Sequence, residues 1–273
     1  MSEILEPTLQ PFLKWAGGKR WLVAGNELPV PHQFDRLVEP FLGSGAVFFH
    51  LRPQKAHLTD LNEDLINLYK QIRFRPLKFS ESLKTHQANH SKQYYYEIRE
   101  WEPKDKLDRA ARFLYLNRTC WNGLYRVNLN GKFNVPIGTK NRVIFDDDNF
   151  LAVSKLLKRA KISCLDFEKV IDESTYGDFL FVDPPYTVRH NYNGFLKYNE
   201  RIFSWDDQIR LKQALLRAKQ RGVAFVMTNA DHSSIQELYK NVGEQIQLSR
   251  RSVLAGNRLH RGMTTESLYF GNI

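Results

Sequence analysis

Asp183-Pro184-Pro185-Tyr186 closes the apolar run Phe179-Leu180-Phe181-Val182. Such a run reads as a strand buried on both faces of a parallel sheet, and ligands bind outside the carboxyl ends of those strands. Two successive prolines lock the backbone and leave carbonyl oxygens without a local amide partner. The Asp183 carboxylate is a second acceptor. Two acceptors can hold both hydrogens of an exocyclic amino group. That draws the nitrogen lone pair out of conjugation and makes the nitrogen a better nucleophile. Tyr186 offers a flat face on which a base can stack, worth roughly 1–3 kcal/mol per base.

Two further motifs point to a nucleoside ligand. Arg36-Leu37-Val38 runs into Glu39-Pro40-Phe41-Leu42-Gly43-Ser44-Gly45. Glycines after a first strand let the backbone approach a ligand closely. A dinucleotide fingerprint needs a third glycine where this chain has Phe48, so a nicotinamide or flavin site is not expected. Ala56-His57-Leu58-Thr59 ends in Asp60, which is placed for ribose hydroxyls. Phe12-Leu13-Lys14-Trp15-Ala16-Gly17-Gly18-Lys19-Arg20 lacks the first glycine and the Ser/Thr of a phosphate loop. Its aromatic ring, two glycines and lysine suit an adenine face and a carboxylate or phosphate. A glycine turn in a basic arm is the alternative.

These residues need a scaffold of strands. Beyond the three strands named above, Ser204 caps a helix with Asp207 three residues on, Leu211, Leu215 and Ala218 form its face, and Gly222 stops it. Val223-Ala224-Phe225-Val226-Met227 is another buried strand. Strand, helix, strand in this order gives a right-handed parallel crossover. The ends of the chain therefore read as a Rossmann-like, doubly wound α/β domain, residues 1–66 with 163–273. Residues 67–162 have helical apolar spacing, with Ala110, Phe113, Leu114 and Asn117 on one face, and a basic surface. Asn130-Gly131 within Asn128-Leu129-Asn130-Gly131-Lys132-Phe133 signals a two-residue hairpin. An inserted helical segment with a hairpin reads as a recognition domain or as a large ordinary insertion.

The 273 residues carry 40 Lys+Arg against 30 Asp+Glu, a net charge of +10 that favours an anionic partner, nucleic acid first. No apolar run is long enough to span a membrane, and the acidic start Met1-Ser2-Glu3 lacks a signal-peptide core. Cys120 and Cys164 are the only cysteines, so disulfides and a cysteine zinc site are not expected and a reducing cytoplasm is. No metal site is expected. Asp146-Asp147-Asp148 reads as a helix start or solvent-facing loop. Arg250-Arg251 and Arg258-Leu259-His260-Arg261, with Gly256 and Gly262, read as a phosphate-contacting loop or a solvated charged loop. No unclaimed apolar helix face stands out, so a monomer is expected.

Taken together the motifs resemble the adenine-N6 DNA methyltransferases of the Dam type, which transfer a methyl group from S-adenosylmethionine. The resemblance covers nearly the whole chain in that family's motif order. It makes Trp15, Lys19, Phe41, Gly43, Gly45, Asp60 and Asp183 the cofactor-binding positions, with no metal. It makes Asp183, Pro184, Pro185 and Tyr186 the catalytic ones. Asn117-Arg118-Thr119-Cys120-Trp121-Asn122-Gly123-Leu124-Tyr125-Arg126 through Gly138 resembles the family's recognition hairpin. By that likeness Lys14, Trp121, Asn122, Leu124, Arg126, Asn134 and Pro136 contact duplex DNA. Trp121 and Leu124 would wedge into the base stack and Arg126 would read a base edge; core packing of Trp121 and Leu124 is the alternative. Trp121 stands where the family often has Tyr, Cys120 where it often has Gly, and Thr139 where a basic or aromatic residue often follows Gly138. The implied site is GATC. An RNA adenine methyltransferase and a DNA-binding regulator without transfer activity are the competing functions. A hairpin suits the B-DNA major groove rather than the narrow groove of A-form RNA.

Overall fold

The computed structural model describes residues 9–123, 125–128, 131–189, 202–251 and 263–273, with positions 250, 251, 263 and 264 described in backbone only. Leu124, Asn130 and the stretch from Gly256 to Gly262 lie outside the described residues. So do the chain's first residues and the Arg250 and Arg251 side chains. The chain divides into two compact units. The first holds Met1–Arg20, Gly43–Pro53 and Asp60–Cys164; the second holds Trp21–Leu42, Gln54–Thr59 and Leu165–Ile273.

The fold is mixed α/β. The described strands are β1 (Arg36–Glu39), β2 (Ala56–Thr59), β3 (Ala160–Ser163), β4 (Asp178–Val182), β5 (Ala224–Ala230), β6 (Glu244–Arg251) and β7 (Met263–Gly271). The six strands of the second unit lie in one sheet in the order β2-β1-β4-β5-β7-β6, and β3 belongs to the first unit. β1 is parallel to β2 and to β4, with Leu37 opposite Ala56 and Phe179, and β4 is parallel to β5. β7 runs antiparallel between β5 and β6. The sheet is therefore not wholly parallel: the antiparallel pair at its edge goes beyond what the motifs implied.

All five residues of β4 are buried, as its apolar run requires. Val182, Leu180, Phe225, Met227 and Tyr269 from the sheet share a core with Leu211, Leu215 and Ala218 of the helix Trp205–Gln220. Each large apolar side chain buried there contributes about 1.5–3 kcal/mol. Ser204 and Asp207 form a reciprocal capping box at the start of that helix, and Gly222 beyond its end has φ 76°. The connections after β1 and β4 lead to opposite sides, β1 to its neighbour β2 and β4 to its neighbour β5. This is a topological switch point, and the carboxyl ends of β1 and β4 run on into Phe41 and Asp183.

The first unit contains the helices Glu63–Phe74, Pro76–Asn89, Lys92–Glu100, Lys106–Thr119 and Phe150–Leu157. Lys106–Thr119 is capped by Asp105, whose carboxylate accepts the amides of Leu107 and Asp108. The expected face of Ala110, Phe113, Leu114 and Asn117 is buried, and so is every other residue from Leu114 to Thr119. A helical stretch buried on all sides, as Leu114 to Thr119 is, must satisfy its polar side chains internally. Beyond it, Cys120 bridges Ile137 and Val127 bridges Phe133 in antiparallel fashion, as isolated bridges rather than a continuous ladder.

The acidic trio behaves differently from the expected solvated loop. Asn149 caps Phe150–Leu157, so a helix does start there, and Asp146 is exposed beside Arg142. Asp148, however, is buried against Arg118.

Candidate functional site

In the second unit, Asp183 and Tyr186 follow β4 directly. The Thr228 hydroxyl of β5 donates to Asp183 Oδ1 at 2.6 Å, which fixes the carboxylate plane. Pro184 is buried; Asp183, Pro185 and Tyr186 are half-buried. The Tyr186 hydroxyl donates to Glu266 Oε2 of β7 at 2.6 Å. Burial, then the negative charges of Asp183 and Glu266, hold the Tyr186 phenol far above its ordinary ionisation range, so it remains a donor. Phe41 stacks on Phe167, centroids 5.4 Å apart, and meets Phe203 edge-on at 5.6 Å. A ring so held is rigid enough to shape a ligand wall.

In the first unit, the Asp60 carboxylate accepts the amides of Gly43 at 3.1 Å and Asn62 at 2.9 Å. Burial pushes the Asp60 carboxyl up, and the Asn62, Gly43 and Leu61 amides oppose that shift. Gly43 has φ 48°, and a Cβ there would stand 2.8 Å from Trp15 Cδ1. Only glycine lets this backbone lie against that indole. Trp15 also stacks near Phe113 and Tyr125, at 6.2 and 6.1 Å. Lys19 is buried, and its Nζ donates to the Gly17 carbonyl at 2.5 Å. Gly45 is left-handed, φ 64°, and caps the helix Ala46–Leu51, in which Phe48 is buried where a dinucleotide fingerprint has glycine.

The described recognition candidates share one property. Lys14, Trp121, Asn122, Arg126, Asn134 and Pro136 are all exposed, while Phe133 and Val135 between them are buried. Trp121 is 52% exposed, so it is not a core residue. Leu124 lies outside the described residues. Partial burial and the nearby Lys140 ammonium lower the Lys14 pKa. The Lys14 backbone is clamped by Asn117: its amide donates to Oδ1 at 3.0 Å and its carbonyl accepts Nδ2 at 2.7 Å.

Sequence reasoning missed Thr228 and Glu266, placed Asp148 only in a helix start or solvent-facing loop, and gave Asn117 a helical face and the head of the recognition segment but no partner. It also counted no His-x-x-x-His pair, whereas His86 and His90 stand four residues apart and form one. Their Nδ1 atoms meet the hydroxyls of Tyr94 at 2.8 Å and Tyr115 at 2.9 Å. Burial lowers the His86 pKa to about 4. Among the described residues, no group of three or more His, Cys, Asp or Glu could hold a metal ion. No helix among them is long and apolar enough to cross a membrane.

Residues 15–252 match the family described as D12 class N6 adenine-specific DNA methyltransferase. The chain is 37% identical to the Type II methyltransferase M1.LlaDCHI of Lactococcus lactis subsp. cremoris, over 97% of this chain and 96% of that one. It is 38% identical to the Type II methyltransferase M.MjaIII of Methanocaldococcus jannaschii, over 81% and 84%. It is 32% identical to a DNA adenine methylase of Vibrio cholerae, over 89% of each. The family model spans most of the sequence and these relatives cover 81–97% of it. The chain belongs to the D12 class of N6 adenine-specific DNA methyltransferases, enzymes whose methyl donor is S-adenosylmethionine.

Proposed function

We propose that this enzyme methylates N6 of adenine within GATC in duplex DNA. The observation that carries the reaction is the Asp183-to-Tyr186 turn after buried β4, at the switch point of the sheet, with its carboxylate oriented by Thr228. GATC rests on the likeness of residues 117–138 to the Dam-type recognition segment. Residues 67–162 act as the target-recognition domain, and 1–66 with 163–273 bind the donor and catalyse transfer.

The donor set fits S-adenosylmethionine. Lys19 is a buried cation for a carboxylate, Asp60 a carboxylate at a strand end for ribose hydroxyls, and Trp15 and Phe41 are rings for an adenine face. Gly43 and Gly45 keep the turn open to the ligand. The donor supplies an electrophilic methyl group on a sulfonium, which leaves as a neutral thioether and needs no acid. The target adenine is flipped out of the stack at a cost of a few kcal/mol. Asp183 and the Pro184 carbonyl hold the N6 hydrogens, and Tyr186 stacks on the ring. With the donor bound, N6 would attack the methyl carbon in line as the carbon–sulfur bond breaks, one of the two held N6 protons would pass to solvent, and positioning supplies much of the rate.

Lys14, Trp121, Asn122, Leu124, Arg126, Asn134 and Pro136 read the duplex. Arg pairs well with guanine O6 and N7 in the major groove. Arg126→Ala is expected to cost roughly 1–3 kcal/mol of discrimination between the site and its single-base variants. Unchanged discrimination in competition assays removes Arg126 as a reader.

The deciding experiment uses plasmid from a host without adenine methylation, labelled S-adenosylmethionine and sequencing of modified bases. N6-methyladenine confined to GATC is the expected result. Another short site keeps the mechanism and overturns the specificity. Label only in RNA, or cofactor binding without turnover on any DNA, overturns the proposal as a whole.

A further inference from the structure

Glu266 has no role in the reaction as described so far. Its side chain is only 3% exposed, and it lies on β7 opposite Ala230 of β5 and Leu248 of β6. A carboxylate so deep is costly unless it accepts hydrogen bonds. The Tyr186 hydroxyl donates to it at 2.6 Å, within the 2.5–2.7 Å range of O–H···O⁻ bonds to a charged acceptor. The phenol remains a donor because burial and its two carboxylate neighbours oppose its ionisation. The tyrosine is nevertheless only half-buried. Its hydroxyl is tied to a buried carboxylate while the residue as a whole keeps some exposure, the combination a stacking platform needs.

Thr228 completes the support. It stands two residues before Ala230 on β5, so the two side chains share a face of the sheet, diagonal to Glu266 on β7. Its hydroxyl donates to Asp183 at 2.6 Å and also meets the Tyr186 phenol. Neighbouring antiparallel strands therefore brace both side chains of the turn from below.

We propose that Glu266 is a positioning residue for methyl transfer, holding the Tyr186 ring by its hydroxyl in the plane that receives the extruded adenine. The inference rests on the reading that Asp183 and Tyr186 frame that base. A tyrosine fixed only through its Cβ can swing about χ1; one tied at its far end cannot, and because a phenolic O–H prefers the ring plane, its hydrogen bond also favours one orientation about χ2. Misplacement by about 1 Å is enough to cost 10²-fold in rate.

The test is a double-mutant cycle on the full chain: Glu266→Gln, Glu266→Ala, Tyr186→Phe and the combined variants. The kcat and KM values are measured with S-adenosylmethionine and duplex DNA, and 2-aminopurine at the target position reports base extrusion. Tyr186→Phe and Glu266→Ala are each expected to lower kcat about tenfold to a hundredfold, the range for losing a hydrogen bond to a charged group. KM for S-adenosylmethionine should stay within a few-fold, and the 2-aminopurine signal should change with kcat. Glu266→Gln keeps an acceptor and should lose less than Glu266→Ala. Either change at 266 should cost nothing further in the Tyr186→Phe background. If Glu266→Ala does not fold, the near-isosteric Glu266→Gln carries the cycle alone. Losses that multiply in the combined variants overturn the proposal. So does full kcat in the Glu266 variants while Asp183→Ala is inactive, with the framing role intact. Normal rates in both Asp183→Ala and Tyr186→Ala overturn the framing role first, and the inference with it.

Discussion

Asp183→Ala is expected to lower methyl transfer by at least about 10²–10³-fold, the loss seen when a group aimed at developing transition-state charge is removed. As N6 attacks, positive charge grows on the adenine, and the Asp183 carboxylate is the proposed anion beside it. The carboxylate is fixed in advance by the Thr228 hydroxyl at 2.6 Å, so little reorganisation is needed at the moment of reaction. Duplex binding should survive, because it rests on phosphate and base contacts elsewhere. Lys14 and Arg126 are exposed cations of the first unit, and the net charge of +10 adds a salt-dependent attraction. The alanine variant also deprives the buried Thr228 hydroxyl of its acceptor. Asp183→Asn controls for this: it keeps an oxygen for Thr228, loses the charge, and should fold normally with transfer still impaired. Single-turnover rates and filter binding on one duplex read the two effects apart. Near-normal transfer by either variant would remove Asp183 from the reaction.

What the sequence revealed and what it hid divide along chain distance. The end of β4 was legible because a strand buried on both faces is a continuous apolar run, and the ends of β1 and β2 because a glycine turn and an aspartate follow them within a few positions. The helix Trp205–Gln220 was legible because its cap, face and stop all lie within one short window. The partners of those functional residues were not. Tyr186 meets Glu266 across 80 positions, and Lys14 meets Asn117 across 103. Nothing in the local pattern marks a glutamate in a strand or an asparagine on a helix as anyone's partner. Gly43 shows the same limit: a close backbone approach was implied by the turn, but its left-handed φ and the indole it must clear were not. The exposure of Trp121 likewise needed the fold, since core packing stood as the alternative to a wedge.

Asp148→Ala is expected to destabilise the protein by about 3–5 kcal/mol, the cost of stranding one member of a buried ion pair. The Arg118 and Asp148 side chains are 1% and 7% exposed. Arg118 donates to both Asp148 oxygens, at 2.5 and 2.7 Å, and Asp148 also accepts the Phe145 amide at 2.8 Å. The guanidinium lies over the Phe145 ring at 4.4 Å, which adds a smaller attraction. Its remaining donors reach backbone: the Phe12 carbonyl at 2.6 and 3.2 Å and the Val143 carbonyl at 2.7 Å. Buried ion pairs can often be exchanged for apolar residues without loss. Here that exchange should fail, because Arg118→Met with Asp148→Leu would leave those two carbonyls without their donor. The expected order of stability in urea is wild type, then Asp148→Asn, then Asp148→Ala, with the apolar pair no better than the last. An apolar pair as stable as wild type would reduce the site to simple packing. The consequence reaches function through Phe12, two residues before Lys14 and three before Trp15. The Arg118 clamp and the Asn117 clamp come from adjacent positions on one helix turn. Loosening it should therefore weaken site discrimination at temperatures well below the unfolding midpoint.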